Sequence, residues 1–401
     1  MNVGIIGCGA SGMIASISAS KKGHKVTILE KNDKPGKKLL STGNGKCNFT
    51  NEDIKPDYYN ECARELFEKI YNSFDKNDVI SLFEKIGISS YCKNGYVYPR
   101  SEQAASVVNC LKAELNNRNI NVIYNCKIDS ISYDGKFNVY TADNTYVFDK
   151  LIIAAGSNAI PKSGSDGSGY GYAIRLGHKV KKPLPSLCGL KCTGVNFKII
   201  SGVRCQARVT LKSDGEPIKS DMGELQITDY GVSGIPVFQI SGEAIRFLDE
   251  GHDVRVCVDY APDYEYEKLV EYLNNRLANI NNKPIDEFLD GFINNKLAIM
   301  VKQEIESNSN LSFDSITDSN IIQKIADVLK NSEYIVKGHR GFDNCQVCSG
   351  GIYIDDLKAT LESKICPGLY FAGEIIDVNG DCGGYNLQWA WSSGYVAGLL
   401  Q

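Results

Sequence analysis

Val3-Gly4-Ile5-Ile6-Gly7-Cys8-Gly9-Ala10-Ser11-Gly12, with the helix-like stretch Met13 to Lys22 behind it and Lys25-Val26-Thr27-Ile28-Leu29-Glu30 beyond, decides the fold. A short apolar run enters a glycine turn, small and apolar residues continue as a helix, and a second apolar run ends in an acid eighteen residues past Gly12. A bare GxGxxG is weak evidence, but in this strand–turn–helix setting, with an acid at the tip of the next strand, it marks a dinucleotide site. Gly7 makes the tight turn, Gly9 lets backbone approach a pyrophosphate, and Gly12 permits close helix packing. The helix start offers N–H groups and the positive end of its dipole to phosphates. Glu30 accepts from ribose hydroxyls and repels a 2′-phosphate. A chance glycine turn in another α/β fold is the bland alternative.

Outward from this stretch, composition sets the limits. The chain has 401 residues, 43% of them hydrophobic and 23% charged, values of an ordinary soluble globular protein of more than one structural unit. Lys plus Arg number 44 against 48 Asp plus Glu, which gives no electrostatic footprint for nucleic acid or an anionic membrane. No apolar stretch reaches the roughly 18 residues of a membrane span. The 14 cysteines follow no cationic, apolar leader, so the expectation is free thiols in a reducing cytoplasm. Cys345 and Cys348 form the one CxxC; without a second ligand pair they are read as two separate thiols, and no metal is expected.

The fingerprint alone does not separate NAD from FAD, since both bring an ADP half. Two further glycine clusters do. Residues 36–51 are too polar and glycine-rich for a core element and directly follow the ribose-binding acid. Their amides and cations suit the pyrophosphate, ribitol and flavin edge of FAD, although an ordinary surface loop has a similar composition. Near the other end, Gly368-Leu369-Tyr370-Phe371-Ala372-Gly373-Glu374 reads as a buried strand running into a glycine and an acid. After the loop Gly380 to Gly384, residues 385–398 read as a helix with small residues on one face, able to pack tightly on a sheet. Glu374 would hold a ribitol hydroxyl, and the helix N-terminus would face the flavin edge that carries negative charge when reduced. A purely structural terminal helix is the alternative.

Residues 7–12, 38–48 and 373–388 together resemble the BaiN/YhiN-type FAD-dependent oxidoreductases, a family that also includes proteins described as aminoacetone oxidases. The similarity extends through 151–156, 164–171 and 223–236, and so over nearly the whole chain. Departures are Lys46 where Arg is usual, Ala155-Gly156-Ser157 in place of a more glycine-rich turn, and Cys348 where Thr is commoner. The resemblance implies an α/β, Rossmann-like FAD-binding domain in two parts, 1–184 and 340–401, with a mixed β-then-α insert domain over 185–339. The cofactor contacts it implies are Gly7, Gly9, Ala10, Ser11, Gly12, Glu30 and Lys31 in the first segment. Lys38, Thr42, Gly43, Asn44, Gly45 and Cys47 follow in the second. Ile128 is expected beside the adenine, and Gly373, Glu374, Gly384, Asn386 and Leu387 at the flavin.

Between these motifs, residues 60–86 and 101–118 read as helices, with Leu66, Phe67, Ile70 and Phe74 as core, and 120–150 as strands about an Asp134-Gly135 turn. In the insert, strands are expected to about Asp259 with turns at Asp214-Gly215 and Gly231–Gly234, then three helical stretches between Tyr264 and Asn331. The insert has no second GxGxxG, so NADH or NADPH enters only as a transient electron donor. Catalytic candidates are Tyr385 as proton donor, Asp377, and Arg340 with His339 polarising a carbonyl; a packed tyrosine, a loop carboxylate and a solvated basic pair are the plain alternatives. The leading function is hydride transfer between flavin and an unsaturated ketone-type or steroid-like small molecule. A peroxide-producing amine or aminoketone oxidase and a non-catalytic flavin sensor or electron carrier are the rivals. The partner expected is a small-molecule substrate, with no nucleic acid and no membrane; oligomeric state stays open.

Overall fold

The computed structural model describes residues 1–280, 283–309 and 319–401. The chain divides into two compact units, one formed by Met1–Pro185 with Phe342–Gln401 and the other by Ser186–Gly341.

The first unit is built on a five-stranded parallel sheet, in the order Leu369–Phe371, Lys150–Ile153, Asn2–Ile6, Lys25–Leu29, Asn121–Ile123. Val3, Ile5, Leu151, Ile152, Ile153, Leu369, Tyr370 and Phe371 have no exposed surface, the near-continuous apolar pattern of parallel strands covered on both faces. Asn121–Ile123, expected to belong to an antiparallel excursion, instead adds to the parallel sheet beside Lys25–Leu29. The excursion proper is three antiparallel strands, Ile128–Tyr133, Phe137–Thr141 and Thr145–Phe148, turning at Asp134 and Gly135, where Gly135 has φ +98°. The helix expected over 60–86 is two helices, Arg64–Ser73 and Lys76–Lys85. Asp75 starts the second by accepting from the Asn77 and Asp78 amides, a capping box that a continuous apolar pattern conceals.

Helix Ala10–Lys21 is buried along nearly its whole length, and the terminal helix Tyr385–Gly398 lies directly against it. A Cβ on Gly394 would sit 2.4 Å from the Ser11 carbonyl oxygen, and one on Gly398 2.4 Å from that of Ala15. The small-residue face of the last helix therefore seats on the first helix, not on a sheet as expected. Its glycines let two backbones touch, a contact any side chain would hold apart.

The second unit is a closed antiparallel barrel, ordered Leu190–Thr193, Gly231–Gly234, Glu216–Thr228, Arg204–Ser213, Val254–Asp259, Ser332–His339 and back to the first. Val209, Leu211, Leu225, Ile227, Val232, Val256 and Val258 fill its interior. Asp214-Gly215 is the expected turn, but Gly231–Gly234 is a strand. A Cβ on Gly231 would meet the Leu190 carbonyl at 2.3 Å, so this glycine marks a close backbone approach. The strands expected up to Asp259 are interrupted by the helix Ile235–Asp249, whose signal is Pro236 in its first turn. Four helices instead of three are described beyond Tyr264: Tyr266–Asn279, Ile285–Leu289, Asn295–Ser309 and Ser319–Asn331. Parts of that expected helical region, residues 281–282 and 310–318, lie outside the described residues. Among the described residues no helix is long and apolar enough to cross a membrane, and no group of three or more His, Cys, Asp or Glu is placed to hold a metal ion.

Two glycine-to-alanine replacements should move stability in opposite directions. Gly394→Ala forces the two helices apart and is expected to cost about 1–3 kcal/mol. Gly171 lies exposed in helix Ser168–Arg175 with nothing within 4 Å of its Cβ position, so Gly171→Ala should gain about 0.5–1 kcal/mol. Denaturant unfolding of the two variants beside the parent chain checks both signs.

Candidate functional site

The glycine turn takes the chain from strand Asn2–Ile6 into helix Ala10–Lys21. Gly7 has φ +97° and donates its amide to the Leu29 carbonyl at 2.9 Å, which ties the turn to the neighbouring strand. A Cβ on Gly12 would lie 2.0 Å from the Gly7 carbonyl oxygen, whereas nothing stands within 4 Å of one on Gly9. Two of the three glycines are thus required by the fold itself, and Gly9 opens on empty space. The helix has no acidic residue in its first turn and no side-chain cap at Gly9, so its positive end is not neutralised locally.

Glu30, 6% exposed, stands beside this turn. Its Oε2 accepts from the Cys8 amide at 2.7 Å, and its Oε1 accepts from the Asn32 amide and side chain at 2.8 and 2.7 Å. Oε1 is thereby filled, while Oε2 keeps a lone pair for a further donor. Burial, and after it the Glu30 charge, push the Cys8 thiol far above its ordinary range. Lys31 pairs with Asp166 at 2.6 Å. Ile128 is buried, and its carbonyl accepts from the Tyr172 hydroxyl at 2.9 Å.

The second glycine segment follows as a tight 3-10 stretch, Leu39–Gly45, that turns sharply at its far end. Gly43, Asn44, Gly45 and Cys47 all have positive φ, between +55° and +84°. The segment is held by the Gly36 amide donating to the Cys8 carbonyl, the Thr42 hydroxyl to Leu39, and the Cys47 amide to Thr42. Cys47 is fully buried, which pushes its thiol up to about 12. The Lys46 ammonium pairs with Glu102 at 2.5 Å, on the exposed side.

Glu374, at the end of strand Leu369–Phe371, joins this segment to the terminal one. Its Oε2 meets the Lys38 ammonium at 2.5 Å, and its Oε1 accepts from the Cys348 amide at 3.0 Å. Gly373 has φ +77°, and a Cβ there would collide with the Ser11 hydroxyl at 2.4 Å; its amide donates to Ser393 and its carbonyl accepts from the Trp389 indole. Gly384, at φ +97°, precedes helix Tyr385–Gly398, whose first turn again lacks an acid. Asn386 clasps the preceding loop, accepting from the Gly380 amide at 2.9 Å and donating to the Gly380 and Asp381 carbonyls at 2.8 and 3.2 Å. Leu387 packs on the core.

Of the catalytic candidates, Tyr385 begins the terminal helix, 8% exposed, with the Tyr58 ring 4.8 Å away and Tyr59 edge-on at 6.3 Å. Burial, reinforced by neighbouring Tyr58 and Asp53, holds its phenol well above the usual tyrosine range. Asp377 is 4% exposed and fully engaged: one oxygen faces the Lys181 ammonium at 3.0 Å and the other accepts from the Gly350 amide at 2.9 Å. Arg340 belongs to the second unit, its guanidinium 5.0 Å above the Tyr230 ring, and His339 Nδ1 accepts from the Gly341 amide. The remaining site residues all lie in the first unit.

Three groups stand at the site beyond the individually named contacts. The Asn48 Oδ1 is buried without a hydrogen-bond partner among the described residues, 3.0 Å from where a Cβ on Gly384 would be. The Tyr170 hydroxyl is likewise buried without one. Ser157 and Ser165 hydrogen-bond each other beside Cys348. Asn48 lies inside the quoted glycine segment and was within reach; Tyr170 and Cys348 meet only through folding.

These residues fit an extended dinucleotide. Gly9 leaves room that a Cβ would fill, the first and last helices present their positive ends, and Asn48 offers an unused buried acceptor. Strand, glycine turn, helix and buried acid on a parallel sheet define a Rossmann-type nucleotide-binding fold. The chain belongs to the HI0933-like Rossmann-domain family, whose model matches residues 1–400. It is 36% identical to a 3-dehydro-bile acid delta(4,6)-reductase of Clostridium scindens, over 99% of this chain and 98% of that one. It is 28% identical to a ribosomal RNA dihydrouridine synthase of Escherichia coli, over 98% and 96%. Among solved structures, a 3-ketosteroid delta1-dehydrogenase of Sterolibacterium denitrificans superposes with a TM-score of 0.51 at 12% identity, covering 99% of this chain and 98% of that one, a likeness of fold.

The Asn386 clasp yields a stability prediction. Asn386→Ala removes three hydrogen bonds from one loop and should cost about 1–3 kcal/mol. Asn386→Asp keeps the acceptor for the Gly380 amide but loses both donors and should destabilise as well. Thermal unfolding of the cofactor-free chains reads the difference; an alanine variant as stable as the parent would mean the loop needs no clasp.

Proposed function

We propose that this chain is an FAD-dependent oxidoreductase that adds two hydrogens across a carbon–carbon double bond conjugated to a carbonyl, with a steroid-like small molecule as substrate. One observation carries the reading. The bile-acid reductase matches end to end at 36% identity, and the motifs of the cradle are distributed over that whole length. The dihydrouridine synthase name points to the same bond type, since dihydrouridine is uridine with its carbonyl-conjugated C5–C6 double bond reduced. Two relatives with dissimilar substrates thus share one reaction class.

The cofactor would be held by the glycine turn 7–12, Glu30 and Ile128 at its ADP half, by residues 38–47 along its length, and by Gly373, Glu374, Gly384 and Asn386 at the flavin. Bound flavin supplies the hydride. This chain's residues do the rest. Tyr385, which begins the terminal helix and is protonated at neutral pH as tyrosines ordinarily are, is the group assigned to deliver a proton to the carbon next to the one receiving hydride, although its buried setting makes it a weaker acid than a free tyrosine. Asp377, tied to Lys181 and Gly350, positions backbone. The positive end of the terminal helix favours electron density gathering near Gly384. NADH or NADPH remains the proposed donor, acting transiently, since residues 186–341 carry no second glycine fingerprint.

Charge favours a small molecule over RNA. Residues 186–341 contain 17 Lys and Arg against 23 Asp and Glu, a net of minus six, which repels a polyanion. The test is anaerobic. The flavin-loaded, reduced protein is mixed in turn with a 3-oxo-4,6-diene steroid and with uridine-containing ribosomal RNA. The dienone should be consumed and the flavin reoxidised, with Tyr385→Phe about 100-fold slower while flavin stays bound. Conversion of RNA uridine with the dienone untouched would reverse the choice of substrate. Peroxide formed in step with amine consumption, and no enone turnover, would make the chain an oxidase. Gly9→Ala should leave the unfolding of the cofactor-free chain unchanged and weaken FAD binding, because its Cβ enters empty space in the fold but occupied space in the complex.

A further inference from the structure

Cys345 and Cys348 bracket the turn that enters strand Val347–Ile352 in the first unit. Both are buried, at 1% and 2% exposure. Cys345 Sγ donates to the Phe342 carbonyl at 3.4 Å, a one-turn bond that folds the segment back on itself. Cys348 lies within hydrogen-bond reach of Cys345, whose one S–H proton goes to Phe342, and Ser157 adds a hydrogen bond to Cys348. The Cys348 amide is fixed to Glu374, and Glu374 to Lys38. The expectation of two separate thiols is thus replaced by a facing pair, anchored on backbone and on an ion pair.

We propose that Cys345 and Cys348 are a second redox centre of the protein, a dithiol that a hydroperoxide closes to a disulfide. The Cys348 sulfur attacks one peroxide oxygen, the O–O bond breaks, and the departing hydroxide takes the thiol proton and leaves as water, or as an alcohol from an organic peroxide. Cys348 is then a sulfenic acid. Cys345 attacks that sulfur, the S–O bond breaks, and a second water leaves with the remaining proton. Two thiols lose two electrons and the peroxide gains them. Hydrogen peroxide, the smallest of the class, suits a pair that is nearly shut off from solvent and that bulky disulfides cannot reach.

The surroundings single out Cys348 among the cysteines. A hydrogen bond that Cys345 makes to the thiolate, its S–H turning from the Phe342 carbonyl to do so, is the largest influence, and it holds the Cys348 thiol below its ordinary value against burial and the Glu374 charge, with Ser157 and Lys38 helping. Burial instead pushes Cys47 and Cys192 up to about 12 and Cys205 to about 11. A lowered thiol with a second thiol in contact is the arrangement that passes from sulfenic acid to disulfide before overoxidation. The inference does not depend on which substrate the flavin site takes.

The test uses the full chain with the exposed Cys62 and Cys92 replaced by serine, leaving twelve thiols. After limited hydrogen peroxide and removal of excess, thiols are counted in denaturant and peptides are mapped. The expected result is loss of two thiols, a mapped Cys345–Cys348 bond forming roughly ten-fold faster than oxidation at any other cysteine, and recovery of both thiols with dithiothreitol. Cys348→Thr, the family's commoner residue, should abolish the bond and leave Cys345 alkylatable. Twelve thiols surviving, or Cys348 oxidised to sulfinic acid with Cys345 still free, would overturn the proposal. The twelve-thiol chain alone decides this, and the same peptide map on the fourteen-thiol parent repeats it, so a Cys348→Thr variant that fails to fold does not blunt the test.

Discussion

The first unit depends on one close contact, the backbone-to-backbone seating of the last helix on the first. Gly394 and Gly398 bring helix Tyr385–Gly398 so near to helix Ala10–Lys21 that a methyl group at either position would press on a carbonyl oxygen of Ser11 or Ala15. Everything at the nucleotide end of the sheet is set by that approach. It brings Gly373 against the Ser11 hydroxyl and Gly384 against the Thr50 carbonyl, at spacings that again admit no side chain. The two chain ends are thereby brought together at one place, and the glycine excess of the composition is a record of how closely their backbones pass.

Electrostatics then gives that place its character. Both helices point unneutralised positive ends toward it, and the carboxylates nearby are already committed. Glu30 is held by amides from the glycine turn and from Asn32, and Glu374 is shared between Lys38 and the Cys348 amide. A carboxylate with its lone pairs largely assigned in advance orients a hydroxyl without having to reorganise, which is how a preorganised site gains over water. Asn48 shows the complementary case, a buried acceptor that no group among the described residues satisfies.

Much of this was legible in the sequence because the signals were local. The strand–glycine–helix order at residues 3–22, the acid at 30 and the glycine segment at 36–51 each state their own geometry through spacing alone. The failures were of a different kind. Gly231 looked like a turn residue, yet its glycine serves close strand passage inside a closed barrel, and only pairing with Leu190–Thr193 reveals that. The split at Asp75 was hidden because apolar spacing runs on across a capped helix start. The terminal helix was read as small-faced, correctly, but a small face does not name what it packs on. Arg340 follows the insert in sequence and was grouped with the cradle, whereas the barrel strand ending at His339 carries it in the second unit. For Cys345 and Cys348, a count of metal ligands excludes a zinc site but says nothing about how near the two sulfurs lie.

The division of the nucleotide unit into two chain segments also bears on how the protein is made. Strand Lys150–Ile153 leaves the ribosome with its partner on one side already present, while its other neighbour, Leu369–Phe371, is still encoded beyond the barrel. At about 5–20 residues per second, the interval before residues 186–368 are complete lasts on the order of ten to forty seconds. During that interval the insert, continuous in sequence, is free to close its barrel, while the half-built sheet presents an open edge whose strand is apolar from Leu151 to Ile153 and the first helix lacks its cover. Such an edge is what chaperones bind and what neighbouring nascent chains pair with. Yield in a crowded cell is therefore governed less by the stability of the finished molecule than by how well that unfinished edge is sheltered until the last helix arrives.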